Sequence, residues 1–368
     1  MFCWKKSCCF RIILFLPLFY PYTARAQPEL PNWPWRGVSV EYEKSDFHDI
    51  DTLKSSNINC VRIYLKVAKR ASREKISFYS AFQKELDWAE QIIDACKKNQ
   101  MTSVLAFNNL QFNTEIDFSD KSNRFWTECK MFDSVYKYVE IFATRFKNKG
   151  DELSAYEVVG EPVMNDNKTG KVPVHLAEFF NGVLKAIRKH DSKRYFLLTP
   201  GPWAKPLNYK NFKSFGIHDS KIIYNAHMYM PDDYTHQDVH GRDKDAIYPG
   251  YYKGNYWDKN QIRIAFGVLK QFQKKNNIAY IFIGEFSTAR WSQNKDQYLK
   301  DVLDVMEENE FGWCYWTYKS HYNGWDPYYE VSNPQENPAS WKIEYKGDQT
   351  STWQMLKSYF QKNKFTMK

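Results

Sequence analysis

The chain has 368 residues, of which 43% are hydrophobic, 18% are Phe, Trp or Tyr and 26% are charged. This much apolar side chain can form a buried core, which excludes an intrinsically disordered, collagen-like or coiled-coil protein. The formal net charge is +9, but the basic residues are spread along the chain, which argues against a nucleic-acid-binding protein.

The first 26 residues have the pattern of a secretory signal peptide. Lys5 and Lys6 precede an apolar stretch over 12–22, and the small residues of Ala24-Arg25-Ala26 follow it. The apolar stretch is too short, and too often interrupted by proline, to cross a membrane. We therefore expect cleavage after Ala26, a mature chain over 27–368, and a secreted or periplasmic location without a membrane anchor.

Eight short apolar segments rich in Val, Ile, Tyr and Phe are predicted to be buried parallel strands. They cover residues 37–40, 59–65, 102–107, 155–159, 195–199, 222–229, 278–284 and 312–317. Amphipathic patterns predict helices between and after them, over 82–98, 124–147, 173–188, 261–275, 296–308 and 352–361.

Strands that alternate with helices in this way predict an α/β protein folded as a single (β/α)8 TIM barrel. A doubly wound open sheet is the main alternative. No internal repeat or linker divides the chain, so one domain is predicted over 27–368. The segments 230–255 and 318–350 are predicted to be long loops after the sixth and eighth strands, and such loops usually serve function.

Four cysteines lie beyond the predicted signal peptide: Cys60, Cys96, Cys129 and Cys314. They are far apart in sequence and show none of the paired spacing that is typical of zinc sites. Cys60 and Cys314 fall in predicted strands, where we expect them to be small buried hydrophobic side chains. The sequence leaves open whether any of the four form a disulfide.

Two glutamates follow predicted strands at matching positions. Glu161 comes after the fourth strand and Glu285 after the seventh, so in a barrel the two carboxylates would face one another across the active-site end. Such a pair can hydrolyse a glycosidic bond, and a separation of about 5 Å would make the reaction retaining. Glu157, inside the fourth strand, is expected to be a supporting or core acid, and a solvated or salt-bridged loop residue is the alternative for the other two.

The chain resembles glycoside hydrolase family 5, the cellulase-like family within the clan of retaining β-glycanases that have TIM barrels. The resemblance extends from about Arg36 to the last helix. It rests on six short motifs that follow one another along the predicted strands: Arg36-Gly37-Val38, Val61-Arg62-Ile63, Gly160-Glu161-Pro162, His227-Met228-Tyr229, Gly284-Glu285-Phe286 and Trp313-Cys314-Tyr315-Trp316.

The resemblance implies a role for each matching residue. Glu161 would be the general acid/base and Glu285 the nucleophile. Arg62 would keep the nucleophile ionised, Tyr229 would donate a hydrogen bond to it, and His227 would shape the subsite around the two acids. A structural ion pair for Arg62 and a core histidine for His227 are the alternatives.

Aromatic residues that follow strands five to eight are predicted to line a sugar-binding cleft, because aromatic faces stack on the C–H faces of sugar rings. They are Trp203, Tyr251, Tyr252, Tyr256, Trp257, Trp291, Trp316 and Trp325. The resemblance implies that Trp316 is the platform of the −1 subsite, and some of the others are expected to close the top of the barrel instead. His227, His236 and His240 suggest a metal site, but they lack the helical spacing of a histidine pair, so no metal and no cofactor is predicted.

The chain departs from the pattern of the family at two positions. Gly160 stands where the residue before the acid/base is normally an Asn that contacts the sugar 2-hydroxyl. The third strand normally ends near a His, and here Asn108 and Asn109 follow Phe107. Either Asn108 replaces a polar contact, or a side chain from a loop fills the space left by Gly160.

Together these features predict a secreted, retaining β-glycoside hydrolase, an endo-β-1,4-glucanase that acts as a monomer on a polysaccharide or oligosaccharide. One alternative is the same catalytic pair acting on mannan, xyloglucan or β-1,3-glucan. The other is a non-catalytic carbohydrate-binding protein on a decayed hydrolase barrel, suggested by Gly160 and the missing His.

Overall fold

A computed structural model describes residues 29–108, 123–164, 170–239, 245–319, 324–332 and 342–367. The predicted signal peptide, Asn109 and His240 lie outside the described residues. None of the helices in these ranges combines the length and the apolarity that crossing a membrane requires.

Within these ranges the strands form one closed barrel and two small antiparallel pairs. They are β1 (Arg36–Glu41), β2 (Cys60–Tyr64), β3 (Thr102–Phe107), β4 (Ala155–Val158), β5 (Tyr195–Leu198), β6 (Ile222–Met228), β7 (Gly250–Tyr252), β8 (Asn255–Trp257), β9 (Ile281–Phe286), β10 (Gly312–Tyr315), β11 (Tyr329–Ser332) and β12 (Lys342–Tyr345). The barrel is parallel, in the order β1-β10-β9-β6-β5-β4-β3-β2. Because β1 pairs with both β2 and β10, the sheet is closed, which confirms the predicted barrel and excludes an open sheet.

Helices follow most barrel strands. They are α1 (His48–Ser55), α2 (Val67–Glu74), α3 (Phe78–Lys98), α4 (Arg124–Thr127), α5 (Phe132–Phe146), α6 (Leu176–Arg188), α7 (Asp232–Thr235), α8 (Lys259–Lys275), α9 (Lys295–Glu308) and α10 (Ser351–Phe360). Helix α3 begins before its predicted start because the Ser77 hydroxyl accepts a hydrogen bond from the Ser80 amide and caps it. The predicted helix over 124–147 is interrupted, because Glu128 leaves the helical region and a short 3-10 turn (Cys129–Met131) precedes α5.

The two predicted long loops contain secondary structure of their own. The segment after β6 includes α7 and the β7–β8 pair, and the segment after β10 includes β11 and β12. The short helices α1 and α2 were not predicted either, since each has only eight residues.

The interior of the barrel is apolar near the amino ends of its strands. A compact cluster there includes Cys60, Val104, Phe282 and Cys314, so the two strand cysteines are buried, unpaired hydrophobic residues as expected. At Gly37, a Cβ atom would lie 1.7 Å from the Cys60 carbonyl oxygen, so glycine is needed for β1 and β2 to approach each other here.

Candidate active site

A cavity of about 560 Å³ opens at the carboxyl end of the barrel. It is lined by Tyr64, Asn108, Val159, Gly160, Glu161, Val163, Trp203, Lys205, His227, Tyr229, Asp232, His236, Glu285, Trp316 and Trp325. Active sites of barrel enzymes lie at this end, and a cleft that combines aromatic walls with a few convergent polar groups is typical of a ligand site.

Two acids face each other in this cleft. One carboxylate oxygen of Glu161, beyond β4, lies within 4.8 Å of one of Glu285, in β9. The Glu161 side chain is 34% exposed, whereas that of Glu285 is 11% exposed. The two carboxylates are therefore close together but differ in their access to solvent.

Arg62 connects Glu285 to a second, fully buried acid. Its Nη1 lies 3.0 Å from Glu285 Oε1, and its Nε and Nη2 each donate to Glu157 at 2.7 Å. Neither Arg62 nor Glu157 is exposed at all. The guanidinium thus forms a structural ion pair with Glu157 and also contacts Glu285, two roles that the sequence analysis leaves compatible.

Burial and charge act in opposite directions on these acids. Burial raises the pKa of Glu157, but the charge and hydrogen bonds of Arg62 outweigh it and leave the pKa lowered. Burial also raises the pKa of Glu285. The cations His227 and Arg62 lower that pKa, and the carboxylates of Glu161 and Glu157 raise it, so the net result is a raised pKa. Arg62 therefore favours an ionised Glu285 without overcoming the burial and the neighbouring carboxylates.

Strand β6 and the residue that follows it supply two further partners of the acids. The Tyr229 hydroxyl donates to Glu285 Oε2 at 3.2 Å, and His227 Nδ1 lies 2.7 Å from Glu161 Oε1 and 3.8 Å from Glu285 Oε2. Burial lowers the pKa of His227, but the two glutamates outweigh it and the pKa is raised. A register shift between β6 and β9 sets His227 opposite Glu285, as bulges beside active sites often do.

The space beside Gly160 is occupied by Glu157 and Asn108. A Cβ atom at Gly160 would lie 2.1 Å from Glu157 Oε1 and 3.4 Å from Asn108 Nδ2. The Asn108 amide donates to Glu157 Oε1 at 3.3 Å, and its Oδ1 accepts the Gly160 N–H at 2.6 Å. Asn108 therefore ties the end of β3 to the residue before Glu161, and the position of Glu157 requires glycine at 160.

The backbone is strained one residue earlier. Val159 has a φ of 57°, in a region that β-branched residues avoid and that costs about 1–3 kcal/mol. Its N–H donates to the Phe107 carbonyl at 3.2 Å, so the strained step stays attached to β3 while the chain turns from β4 towards the cleft.

Three of the predicted aromatic residues line the cleft: Trp203, Trp316 and Trp325. The Trp316 ring meets the Tyr64 ring edge-on at 4.9 Å between centroids, and the Trp203 ring is 41% exposed. Trp203 and Trp316 thus both border the open volume of the cleft.

The other predicted aromatic residues lie outside the lining. Trp291 packs with Trp325 and Trp316 in a small apolar cluster, and its Nε1 donates to the Gln237 carbonyl at 2.9 Å. Trp291 is therefore not among the residues that line this cavity. On the β7–β8 pair, Tyr251 is 79% exposed and Trp257 is buried.

Three side chains in the cleft, which include the two facing acids, are close enough together to hold a metal ion. Glu161, His227 and Glu285 each place one donor atom within 4.8 Å of the others. The Arg62 cation contacts the same Glu285 carboxylate. His236, considered from sequence as a metal ligand, instead places its Nδ1 2.9 Å from the Thr235 hydroxyl.

Comparison with known proteins identifies this barrel. Residues 24–322 match the family described as cellulase, glycosyl hydrolase family 5. The chain belongs to that family. Endoglucanase C of Acetivibrio thermocellus is 23% identical over 329 residues, which cover 80% of this chain and 88% of that protein.

Solved structures share the fold of this glycoside hydrolase. A hyperthermophilic endo-β-1,4-glucanase in complex with substrate is 21% identical with a TM-score of 0.63, and the match covers 87% of this chain and 96% of that one. Thermotoga maritima Cel5A in complex with mannotriose is 18% identical with a TM-score of 0.64, and the match covers 89% and 98% of the two chains.

Some residues of this family 5 cleft were missed in the sequence. Tyr64 lines the cleft two residues after Arg62, and the alternation of side chains along a strand, which puts both on one face, was a usable signal. Lys205 and Asp232 form an ion pair across the cleft wall. Nothing in the sequence indicates that pair, because it joins a turn after β5 to helix α7.

Proposed function

We propose that this glycoside hydrolase is a secreted, retaining endo-β-1,4-glucanase that uses Glu161 as acid/base and Glu285 as nucleophile. The observation that carries the proposal is the separation of the two carboxylates, with oxygens within 4.8 Å of each other. Retaining enzymes need about 5–5.5 Å between the two carboxyl groups, whereas inverting enzymes need about 6.5–9.5 Å to hold a water between them.

The surroundings of the two acids support this division of roles. Glu285 is the less exposed carboxylate, and Arg62 and Tyr229 hold its two oxygens, which orients it for attack on the anomeric carbon. Glu161 is the more exposed and contacts His227, so it can reach both the leaving oxygen and solvent. In the first step Glu161 protonates the leaving oxygen while Glu285 forms the glycosyl ester. In the second, Glu161 takes a proton from the water that cleaves the ester.

The choice of a β-1,4-glucan rests on the relatives. A curated relative is an endoglucanase, and one structural neighbour is an endo-β-1,4-glucanase in complex with substrate. The aromatic rings of Trp203, Trp316 and Trp325 supply stacking surfaces for pyranose rings along the cleft. Another structural neighbour is in complex with mannotriose, so mannan is the first competing substrate to test.

Product analysis on β-glucans, mannan, xyloglucan and xylan tests the proposal. We expect oligosaccharides from soluble β-1,4-glucan whose new reducing ends first appear in NMR as the β-anomer. Glu285→Gln and Glu161→Gln should each lower kcat at least about 100-fold, since each removes a group that acts in the transition state. Glu310→Gln, on an exposed turn before β10, is the matched control and should retain activity.

Several results would overturn the proposal. Initial appearance of the α-anomer would mean inversion, and an unimpaired Glu285→Gln would mean a different nucleophile. Glycan binding without any release of reducing ends would favour a binding protein. Mass spectrometry of the exported protein tests the remaining parts: a mature start at Gln27 is expected for a cleaved signal peptide, and light scattering should give a monomer.

A further inference from the structure

A second cluster of metal-binding side chains lies outside the cleft. Cys129, His175 and Glu178 each offer one donor atom, and the three atoms lie within 4.8 Å of one another. None of the three lines the cleft. Cys129 starts the 3-10 turn before α5, His175 immediately precedes α6, and Glu178 is in the first turn of α6.

The glutamate is the centre of this cluster. Its Oε2 lies 3.3 Å from Cys129 Sγ and 3.2 Å from His175 Nδ1. His175 and Glu178 are three residues apart and therefore project from the same side of the helix start. Within the described residues no lysine or arginine pairs with Glu178, and the nearby Arg124 and Lys130 pair with Glu128 instead.

These separations match those around a tetrahedral ion. Bonds of about 2.3 Å to sulfur and about 2.0–2.2 Å to nitrogen and oxygen place tetrahedral donors about 3.4–3.6 Å apart. The two observed separations, 3.2 and 3.3 Å, are within a few tenths of an ångström of that. The Cys129–His175 pair, within 4.8 Å, needs a further approach, which the half-exposed His175 side chain permits.

We propose that Cys129, His175 and Glu178 form a binding site for Zn²⁺, with solvent as the fourth ligand. Thiolate and imidazole favour zinc over calcium and magnesium, which prefer oxygen ligands. On binding, the Cys129 thiol loses its proton to solvent as the metal–sulfur bond forms, and the charges of the thiolate and of the Glu178 carboxylate balance that of the ion. The ion would join the start of α5 to the start of α6.

Metal titration of the full chain tests this site without reference to activity. We expect one Cys129-dependent equivalent of Zn²⁺, and Co²⁺ should give a thiolate charge-transfer absorption. Cys129→Ser should abolish that absorption. Glu178→Gln should weaken Zn²⁺ binding at least about tenfold, because even the loss of a residue that only supports a ligand costs about 10- to 100-fold. Asp133→Asn, an exposed acid in the first turn of α5 and outside the cluster, is the matched control and should bind Zn²⁺ as the original chain does.

A second measurement needs no variant. Bound Zn²⁺ should protect Cys129 from alkylation, as followed by peptide mass spectrometry, because the other described cysteines are buried. Absence of the Co²⁺ absorption, its persistence in Cys129→Ser, or alkylation of Cys129 at an unchanged rate in saturating Zn²⁺ would each overturn the proposal.

Discussion

Replacing Gly160 by Ala tests the arrangement beside Glu161, the proposed acid/base. The new Cβ would lie 2.1 Å from Glu157 Oε1. That oxygen must retreat by about 1.3 Å to reach ordinary van der Waals contact. It accepts from Arg62 at 2.7 Å and from Asn108 at 3.3 Å, so a retreat of this size breaks or distorts both hydrogen bonds.

The cost follows from the burial of this ion pair. Overpacking a core costs about 1–3 kcal/mol, and breaking a buried ion pair about 3–5 kcal/mol. Because Glu157 can move while still keeping its Oε2 bond to Arg62, we expect Gly160→Ala to lose about 2–4 kcal/mol of stability. Arg62 also holds Glu285, and a misplacement of about 1 Å can lower kcat about 100-fold.

Urea denaturation and steady-state kinetics check this expectation. Gly267→Ala is the matched control, because nothing lies within 4 Å of a Cβ at that position in α8; it should retain activity and gain up to about 1 kcal/mol from helix propensity. If Gly160→Ala matched the original chain in both stability and kcat, the conclusion that the position of Glu157 requires glycine at 160 would be refuted.

Two further predictions concern a hydrogen bond and a buried acid. Tyr229→Phe removes the donor to Glu285 Oε2 and should lower kcat/KM about 10- to 100-fold, since hydrogen bonds to charged groups contribute about 1.5–3 kcal/mol; Tyr251→Phe, on an exposed ring, should leave it unchanged. Asp326 is buried and its pKa is raised to about 7 from an ordinary 3.8. Between these values the folded chain binds more protons than the unfolded chain, so the free energy of unfolding falls as pH rises through this window. In urea denaturation, Asp326→Asn should therefore match the stability of the original chain near pH 4 and be about 1–3 kcal/mol more stable near pH 8. If the variant and the original chain were equally stable at both pH values, the inference that burial destabilises the ionised Asp326 would be contradicted.

The barrel could be predicted because its strands are buried on both faces. Each strand is then a largely apolar run, even where one or two polar residues interrupt it, and such a run is visible without knowledge of its neighbours. The positions of Glu161 and Glu285 followed from the same pattern, since the carboxyl ends of all eight strands meet at one end of a barrel. The short helices α1 and α2 gave too few turns for a clear pattern.

Contacts between strands could not be predicted in the same way. Arg62 reaches Glu157 across β3, and that depends on the register of three neighbouring strands rather than on any spacing in the sequence. From the sequence, Gly160 indicates only that an Asn contact to the sugar is missing. The structure shows that glycine is needed there because Glu157 occupies the space of a Cβ atom. The sequence predicts a place in the cleft for Trp291 and Trp325 alike. Only the packing of the loops after β9 and β10 shows that Trp325, and not Trp291, lines the cavity.

The attachment of Arg62 to two carboxylates matters over a whole catalytic cycle. In the proposed mechanism Glu285 loses its negative charge when it becomes an ester and regains it on hydrolysis. An arginine paired with Glu285 alone would then be a buried cation without a counter-ion, at a cost of about 3–5 kcal/mol. Glu157, bound to the same guanidinium at 2.7 Å, remains charged in both states. It therefore serves as a permanent counter-ion, and the covalent intermediate forms without leaving a buried positive charge uncompensated.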